Sequence, residues 1–476
     1  MKLIPTYTWN KRVVKINRRS DRLTKQPWFQ GVLLLSCTLI AMLLANLPFT
    51  RHIYHEALQT SLQIHFLSPG GGIDFLFPRD MTVEKFINDI LMVVFFFTVG
   101  LEIKREIAYG ELSSPKKALM PVVAAFGGVI APALIFTLVN HGTAASGGWG
   151  IPTATDIAFA VCVLSVLGDK VPVSLKVFLT ALAIADDLIA ILVVAIFYGG
   201  SINLPLLLIA LVVILMTIAL RKLGEKRMFP FAFMAVIVWI LFYYSGIHAT
   251  MSGVVMAFLI PSTPRFNKAQ YYRKRNLYTA RLDSLNDLDD GEPFPNGPQR
   301  HYLRELHRIA NGSMDMSYVL EHVLSPWVNY LIMPVFALAN AGVTITSVSY
   351  FNVFANTVPG HPEFGFVGMG IFLGLLLGKP IGITLFSWIA VKLKIGEMPA
   401  KANWPMFFAV ACIGGIGFTM SIFVDTLSFS NVADPAITNA MRDAGKIAVL
   451  MGSVCAGILG SILVNVVYKI CPKKTA

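Results

Sequence analysis

The sequence predicts an all-α polytopic membrane protein of twelve transmembrane helices, with a small extracytoplasmic β-hairpin. Three observations predict it. Of 476 residues, 55% are hydrophobic and only 14% charged, whereas soluble domains carry about 25% charged residues. The apolar residues fall into twelve runs, each near the roughly 20 residues that a span needs. The basic residues gather in alternate connecting segments. An ordinary soluble enzyme, a disordered chain and a disulfide scaffold are all excluded. The five cysteines sit in or beside apolar runs without metal-ligand spacing and read as small buried hydrophobes.

In order, the runs cover 28–48, 86–103, 119–140, 150–168, 173–198, 203–220, 229–245, 247–261, 323–343, 365–391, 404–427 and 441–468. The seventh and eighth are short and could be one bent segment, so charge must settle the count. Cytoplasmic loops collect Lys and Arg. One alternate set of segments carries 33 of the 39 basic residues; the other carries five, and Lys379 lies inside a run. This asymmetry places both termini in the cytoplasm and favours an even number of spans. It also accounts for the net charge of +12 without nucleic acid. The first run, Phe29 to Leu47, follows a basic stretch as a signal peptide would. It is long for one and lacks an A-x-A site, so it reads as an uncleaved helix.

The chain therefore divides into a basic cytoplasmic arm at 1–27, helices one to eight at 28–261, a polar cytoplasmic insertion at 262–318, helices nine to twelve at 319–468, and a tail at 469–476. In the outer loop at 49–84, alternation from Leu62 to Phe66 and from Ile73 to Phe75 flanks Pro69-Gly70-Gly71-Gly72. That pattern reads as a hairpin, whose edge could pair with a second copy. The insertion is aliphatic-poor and rich in Gly and Pro near 291–298, and reads as partly disordered. Its acids Asp283, Asp287, Asp289 and Asp290 fit no calcium loop and read as a solvated run.

An ionisable residue at mid-span costs about 2.5–3.5 kcal/mol on insertion scales, so one that stands there pairs, binds ions or carries protons. Five are singled out: Asp89, Asp156, Asp186, Asp187 and Lys379. Adjacent helical residues point about 100° apart, so Asp186 and Asp187 can border one cavity between helices. Close carboxylates repel and burial disfavours their charge, which brings a proton into play near neutrality. Such a group can exchange a proton for a small hard cation, because both compete for the same oxygens.

Two spans carry interruptions. Pro152-Thr153-Ala154-Thr155-Asp156 disturbs the fourth, and Gly414-Gly415-Ile416-Gly417 the eleventh. Interrupted spans in corresponding halves point to a transporter site built from inverted repeats, here spans three to five and ten to twelve. If the two breaks cross, half-helix ends meet at mid-membrane, with partial positive charge at N-termini and negative at C-termini. Asp156 and Lys379 are the candidates to compensate them, and Lys379 could instead pair with the 186–187 carboxylates. Glu102, Arg105 and Glu106 at the end of span two read by themselves as a solvated helix exit. His248, Glu321 and His322 could add a response near neutral pH.

The strings GLEIKRE, PTATDIAFA, LAIADDLIAI, GIHAT, LEHVLSPWV, ANAGV, LLLGKPIGI and GIGFTMSIF, in this order, closely resemble the NhaA family of bacterial sodium/proton antiporters from about 84 to 468. That family is itself one of the instances behind the inverted-repeat rule. The resemblance implies twelve helices with crossed breaks in the fourth and eleventh, and a homodimer in the bacterial inner membrane aided by the outer hairpin. It implies electrogenic exchange of cytoplasmic Na⁺ or Li⁺ for more than one external H⁺, with no cofactor. By motif position, Asp187 and Asp186 carry the ions. Lys379 salt-bridges Asp186 or compensates dipoles, and Asp156 and Thr155 sit at the crossing. Glu102, Arg105, Glu106, His248, Glu321 and His322 match the pH-response positions. The chain departs from the family at Ser325, where well-known members carry a second His, and in its longer insertion and arm. Two other classes fit the residues less well. An intramembrane aspartyl protease would show a GxGD-type motif, absent here, and a symporter of an organic solute would need an aromatic-lined pocket.

Overall fold

The computed structural model describes residues 26–62, 81–200, 202–285, 295–345, 351–357, 362–400, 402–429 and 434–470. Among these the structure is helical, and the one β contact is an antiparallel bridge between Ser61 and Thr82. We number the helices α1 Pro27–Asn46, α2 Arg51–Gln59, α3 Val83–Tyr109, α4 Pro115–Val139, α5 Ile157–Leu167, α6 Val173–Phe197, α7 Leu204–Lys222, α8 Met228–Ser245 and α9 Thr250–Leu259. There follow α10 Lys268–Asp283, α11 Gly297–Gly312, α12 Met316–Asn340, α13 Val367–Lys392, α14 Trp404–Ile413, α15 Phe418–Leu427 and α16 Pro435–Ile470.

Among the described residues, nine helices are long and apolar enough to cross a membrane. Two further pairs qualify jointly, each bent at a break. The 3-10 segment Ala144–Thr153 meets α5 at 43°, and α14 meets α15 at 51°. The ten-residue apolar helix α9 falls on the predicted eighth run; alone it is half the length of a full span. The molecule is a multi-pass membrane protein. Its outward surface agrees: Leu39 and Leu43 of α1, Leu134 and Leu138 of α4, and Val212 and Leu215 of α7 are all exposed. Such continuous apolar surface suits hydrocarbon rather than water.

The hairpin predicted in the loop at 49–84 falls mostly outside the described residues. The described part of that loop instead holds α2 and the Ser61–Thr82 bridge. Of the insertion, residues 286–294, which open its Gly- and Pro-rich stretch, lie outside the described residues. Its described residues form α10 and α11, each begun by a capping box, Asn267 with Gln270 and Asn296 with Gln299. In each box the asparagine side chain accepts from the N3 amide and the glutamine reaches back to the cap, so two orphan donors are satisfied. Polarity suppressed the apolar signal, but local capping starts both helices.

The chain forms two compact units. One comprises residues 93–105 and 200–328. Its core packs Leu101, Phe231, Ala257, Ile260 and Leu320 in one cluster and Ala210, Val238, Phe242 and Met256 in another. The other comprises residues 1–92, 106–199 and 329–476 and contains both bent pairs. Within it α6 is the central helix, with 72% of its most apolar window buried. Here α4 and α13 cross at glycines: a Cβ on Gly382 would land on the carbonyl oxygen of Gly127, and one on Gly127 would land on that of Gly382. Only glycine permits that backbone approach. A π-helical turn at Gly374–Gly378 immediately precedes Lys379, and such turns re-aim the residues that follow.

A candidate ion site at two crossed helix breaks

The site lies within the larger unit, where the two breaks touch through backbone. The Asp156 amide donates to the Ile416 carbonyl at 2.7 Å, and the Thr155 hydroxyl donates to the Gly414 carbonyl at 2.9 Å. Glycine is needed for this contact. A Cβ on Gly417 would sit 3.0 Å from the Ala154 carbonyl oxygen, tighter than nearly all real Cβ contacts.

Asp156 serves two helix starts. As the cap of α5 its Oδ1 accepts from the Phe159 amide at 3.2 Å. Its Oδ2 accepts from the Thr419 amide at 3.0 Å, at the start of α15, and also from the Thr419 hydroxyl. One buried carboxylate thus lies at the positive ends of two helices, where the unpaired amides favour negative charge. Ser453 of α16 assists by accepting from the Gly417 and Phe418 amides at 3.3 and 3.1 Å.

Lys379 is fully buried, and its ammonium forms an ion pair with Asp186 Oδ2. It also donates to the Thr155 hydroxyl at 2.7 Å. Thr155 therefore relays it to Gly414, the C-terminal end of α14. Sequence left open whether Lys379 pairs with a carboxylate or compensates a dipole. The geometry gives it the carboxylate directly and the helix end only through a hydroxyl. Asp187, buried beside Asp186 on α6, also lies within range of the Lys379 charge. Asp186 Oδ1 has no hydrogen-bond partner among the described residues. Burying a charge is costly unless it is paired, so this arrangement keeps only as much charge as it can neutralise.

No cluster of three or more His, Cys, Asp or Glu exists among the described residues, so nothing there resembles a transition-metal centre. The unit also contains a cavity of about 670 Å³ lined by Glu111, Ser174, Ala181, Lys394 and Glu397. Ala181 precedes Asp186 on α6 by five residues, about 7.5 Å of helix rise.

The remaining predicted residues fall elsewhere. Asp89 occupies a π-helical turn at Ile87–Leu91. There the neighbouring Asn88 exchanges amide hydrogen bonds with Asn340, at 3.1 and 2.8 Å. In the smaller unit, Arg105 forms an ion pair with the buried Glu321 and lies 3.8 Å from Glu102. His322 is exposed and packs at a tilt against Tyr318, with ring centroids 3.9 Å apart. His248 is half-buried in the turn before α9. Glu106 belongs to the larger unit and accepts from the Glu111 amide at 3.1 Å. Ser325 donates to the Glu321 carbonyl at 2.7 Å.

Four residues escape the sequence reading. Lys104 donates to the carbonyls of Ala257, Phe258 and Ile260, so it caps α9 rather than snorkelling. Thr419 and Ser453 carry no signal beyond a hydroxyl in an apolar run. Asp425 does carry one: it is an acid inside the predicted eleventh run, and the rule that singles out Asp156 applies to it equally.

Comparison with known proteins agrees with the geometry. The sequence model of the family "Na+/H+ antiporter 1" matches residues 21–464. The chain is 39% identical to "Na(+)/H(+) antiporter NhaA 2" of Syntrophotalea carbinolica over 430 residues, 90% of this chain and 92% of that one. It is 38% identical to the NhaA antiporter of Wolinella succinogenes over 451 residues, 94% and 93% of the two chains. It is 40% identical to that of Proteus mirabilis over 438 residues, 91% and 93%. The chain belongs to the Na⁺/H⁺ antiporter 1 family.

Proposed function

We propose that this protein is an electrogenic antiporter that extrudes cytoplasmic Na⁺ or Li⁺ in exchange for external protons, more than one per cation. The observation that carries the reading is the buried Lys379–Asp186 ion pair beside Asp187, at two broken helices in contact. Asp186 and Asp187 are the carriers. A sodium ion and protons compete for their oxygens, so loading one expels the other. Lys379 neutralises Asp186 while the cation is absent. Asp156 and Thr155 hold the two breaks together, so the site can be exposed alternately without losing its shape. Glu102, Arg105, Glu106, His248, Glu321 and His322 set the pH response, with the Arg105–Glu321 pair as its charged centre.

The same reading takes α9 as a short eighth span and each bent pair as one. The protomer then has twelve helices with both termini in the cytoplasm, in a bacterial inner membrane. It also takes the working unit as a homodimer, with an outer hairpin within 49–84 aiding the pairing. The family resemblance and the charge asymmetry of the loops support this orientation.

The test is direct. Detergent-purified protein should release protons when Na⁺ is added in the alkaline range. Proteoliposomes should couple an imposed Na⁺ gradient to a pH change, and Asp187→Asn should abolish both. Unimpaired exchange by that variant would reject the mechanism.

A further inference from the structure

Asp425 lies six residues beyond Thr419 on α15, about 9 Å of helix rise from the crossing. It is fully buried, and neither carboxylate oxygen has a hydrogen-bond partner among the described residues. A Cβ on Gly445 would collide with its Oδ1, so the carboxyl lies against the backbone of α16 with Oδ1 foremost. The charges that act on it come from that helix: Lys446 and Arg442 as cations and Asp443 as an anion. Arg442 donates to the Ser428 carbonyl at 3.2 Å, just past the end of α15, while its Nε has no partner among the described residues. The Tyr198 hydroxyl, at the end of α6, also feels the Asp425 charge. The 3-10 segment Ala144–Thr153 and the Met333–Asn340 part of α12 add no titratable group.

An unsatisfied carboxylate in an apolar interior does not persist as an isolated ion. It is either neutralised by a proton or held by neighbouring cations, and here both are within reach. Burial disfavours the ionised form and the two cationic side chains on the facing helix favour it, so binding or loss of a proton tips the balance. We propose that Asp425 is a second proton-binding carboxylate of the exchanger, on the outer half of the eleventh span and distinct from the Asp186–Asp187 pair. This rests on the antiport reading and orientation proposed above. Asp425 exchanges its proton with the external side, while the central pair exchanges protons with sodium. When Asp425 is ionised it draws Arg442 and Lys446 towards α15; when it is protonated it releases them.

The experiment uses full-length protein in proteoliposomes, with internal pH and Na⁺ fixed and external pH varied. Asp425→Asn should remove one titration from the external-pH profile of the rate. Lys446→Gln should move that titration to more alkaline pH, by about tenfold in proton concentration, because losing a cation tightens the hold on the proton. Na⁺-evoked proton release by detergent-purified Asp425→Asn should persist, since the central pair is intact. A uniform fall in rate with an unchanged profile, or no effect from either variant, overturns the proposal. If Asp425→Asn does not fold, Lys446→Gln decides alone. Loss of Na⁺-evoked release from wild-type protein would instead reject the antiport reading.

Discussion

Asp156 accepts both the amide and the hydroxyl of Thr419, a residue 263 positions away in the chain. Through the same carboxyl it caps its own helix α5 at Phe159. One carboxyl therefore ties together the starts of two half-helices that belong to different spans, and Lys379 and Thr155 gather around that junction.

The first prediction concerns this double cap. Asp156→Asn keeps one acceptor and loses the charge at both helix starts. Its cost should be roughly 1–2 kcal/mol of stability, in line with capping and dipole effects. Asp156→Ala should cost more. Thermal unfolding of the detergent-purified protein measures both, and equal melting temperatures for wild type and Asp156→Ala would show that the cap carries no stability.

The second concerns the buried ion pair. Lys379→Ala leaves the enclosed Asp186 carboxyl without its counter-ion, a loss of about 3–5 kcal/mol for one broken partner. Lys379→Ala with Asp186→Asn removes the unpaired acid as well and should recover most of that loss. A double-mutant cycle on unfolding midpoints reads the coupling. Additive losses would mean that the two side chains do not depend on each other.

The third follows from the crossing of α4 and α13. A methyl group at Gly382 has no space beside the Gly127 carbonyl, so the helices must separate. Gly382→Ala should destabilise by about 1–3 kcal/mol, as overpacking does, and weaken Na⁺-evoked proton release by displacing Lys379. Gly142→Ala is a poor control because its φ is +72°. Gly147, with open space at its Cβ position, is the better one, and Gly147→Ala should leave both readouts close to wild type.

The fourth concerns Tyr198. Its hydroxyl donates to the Gly147 carbonyl and accepts from the Gly150 amide, both at 2.9 Å, tying the 3-10 segment to the end of α6. Tyr198→Phe should lose about 1–3 kcal/mol, because the amide of the buried Gly150 is left unpaired. Burial pushes this hydroxyl from 10.0 up to about 12. The folded state then binds the proton more tightly than the unfolded state. The associated stability is complete below pH 10 and is lost as pH rises through about 12. Alkaline unfolding curves should therefore fall more steeply across that window in wild type than in Tyr198→Phe.

The sequence by itself determined which stretches are apolar helices, because the cost of inserting a segment depends on that segment's own residues. The observed long helices and both bent pairs lie on the predicted runs, and the breaks fall at Pro152–Asp156 and Gly414–Gly417, where local backbone chemistry disfavours a continuous helix. It also marked Asp156, Asp186, Asp187 and Lys379, since a charge in an apolar run is visible without any partner. Tertiary structure alone decided what each charge meets. Lys379 reaches Asp186 because Gly127 and Gly382 let two distant helices touch. Asp156 spans both breaks because Thr419 arrives from another span. Lys104 caps α9, and Asp425 lies enclosed against Gly445, through contacts made far along the chain. Pairing is a property of which surfaces pack together, and neither periodicity nor composition encodes the neighbour.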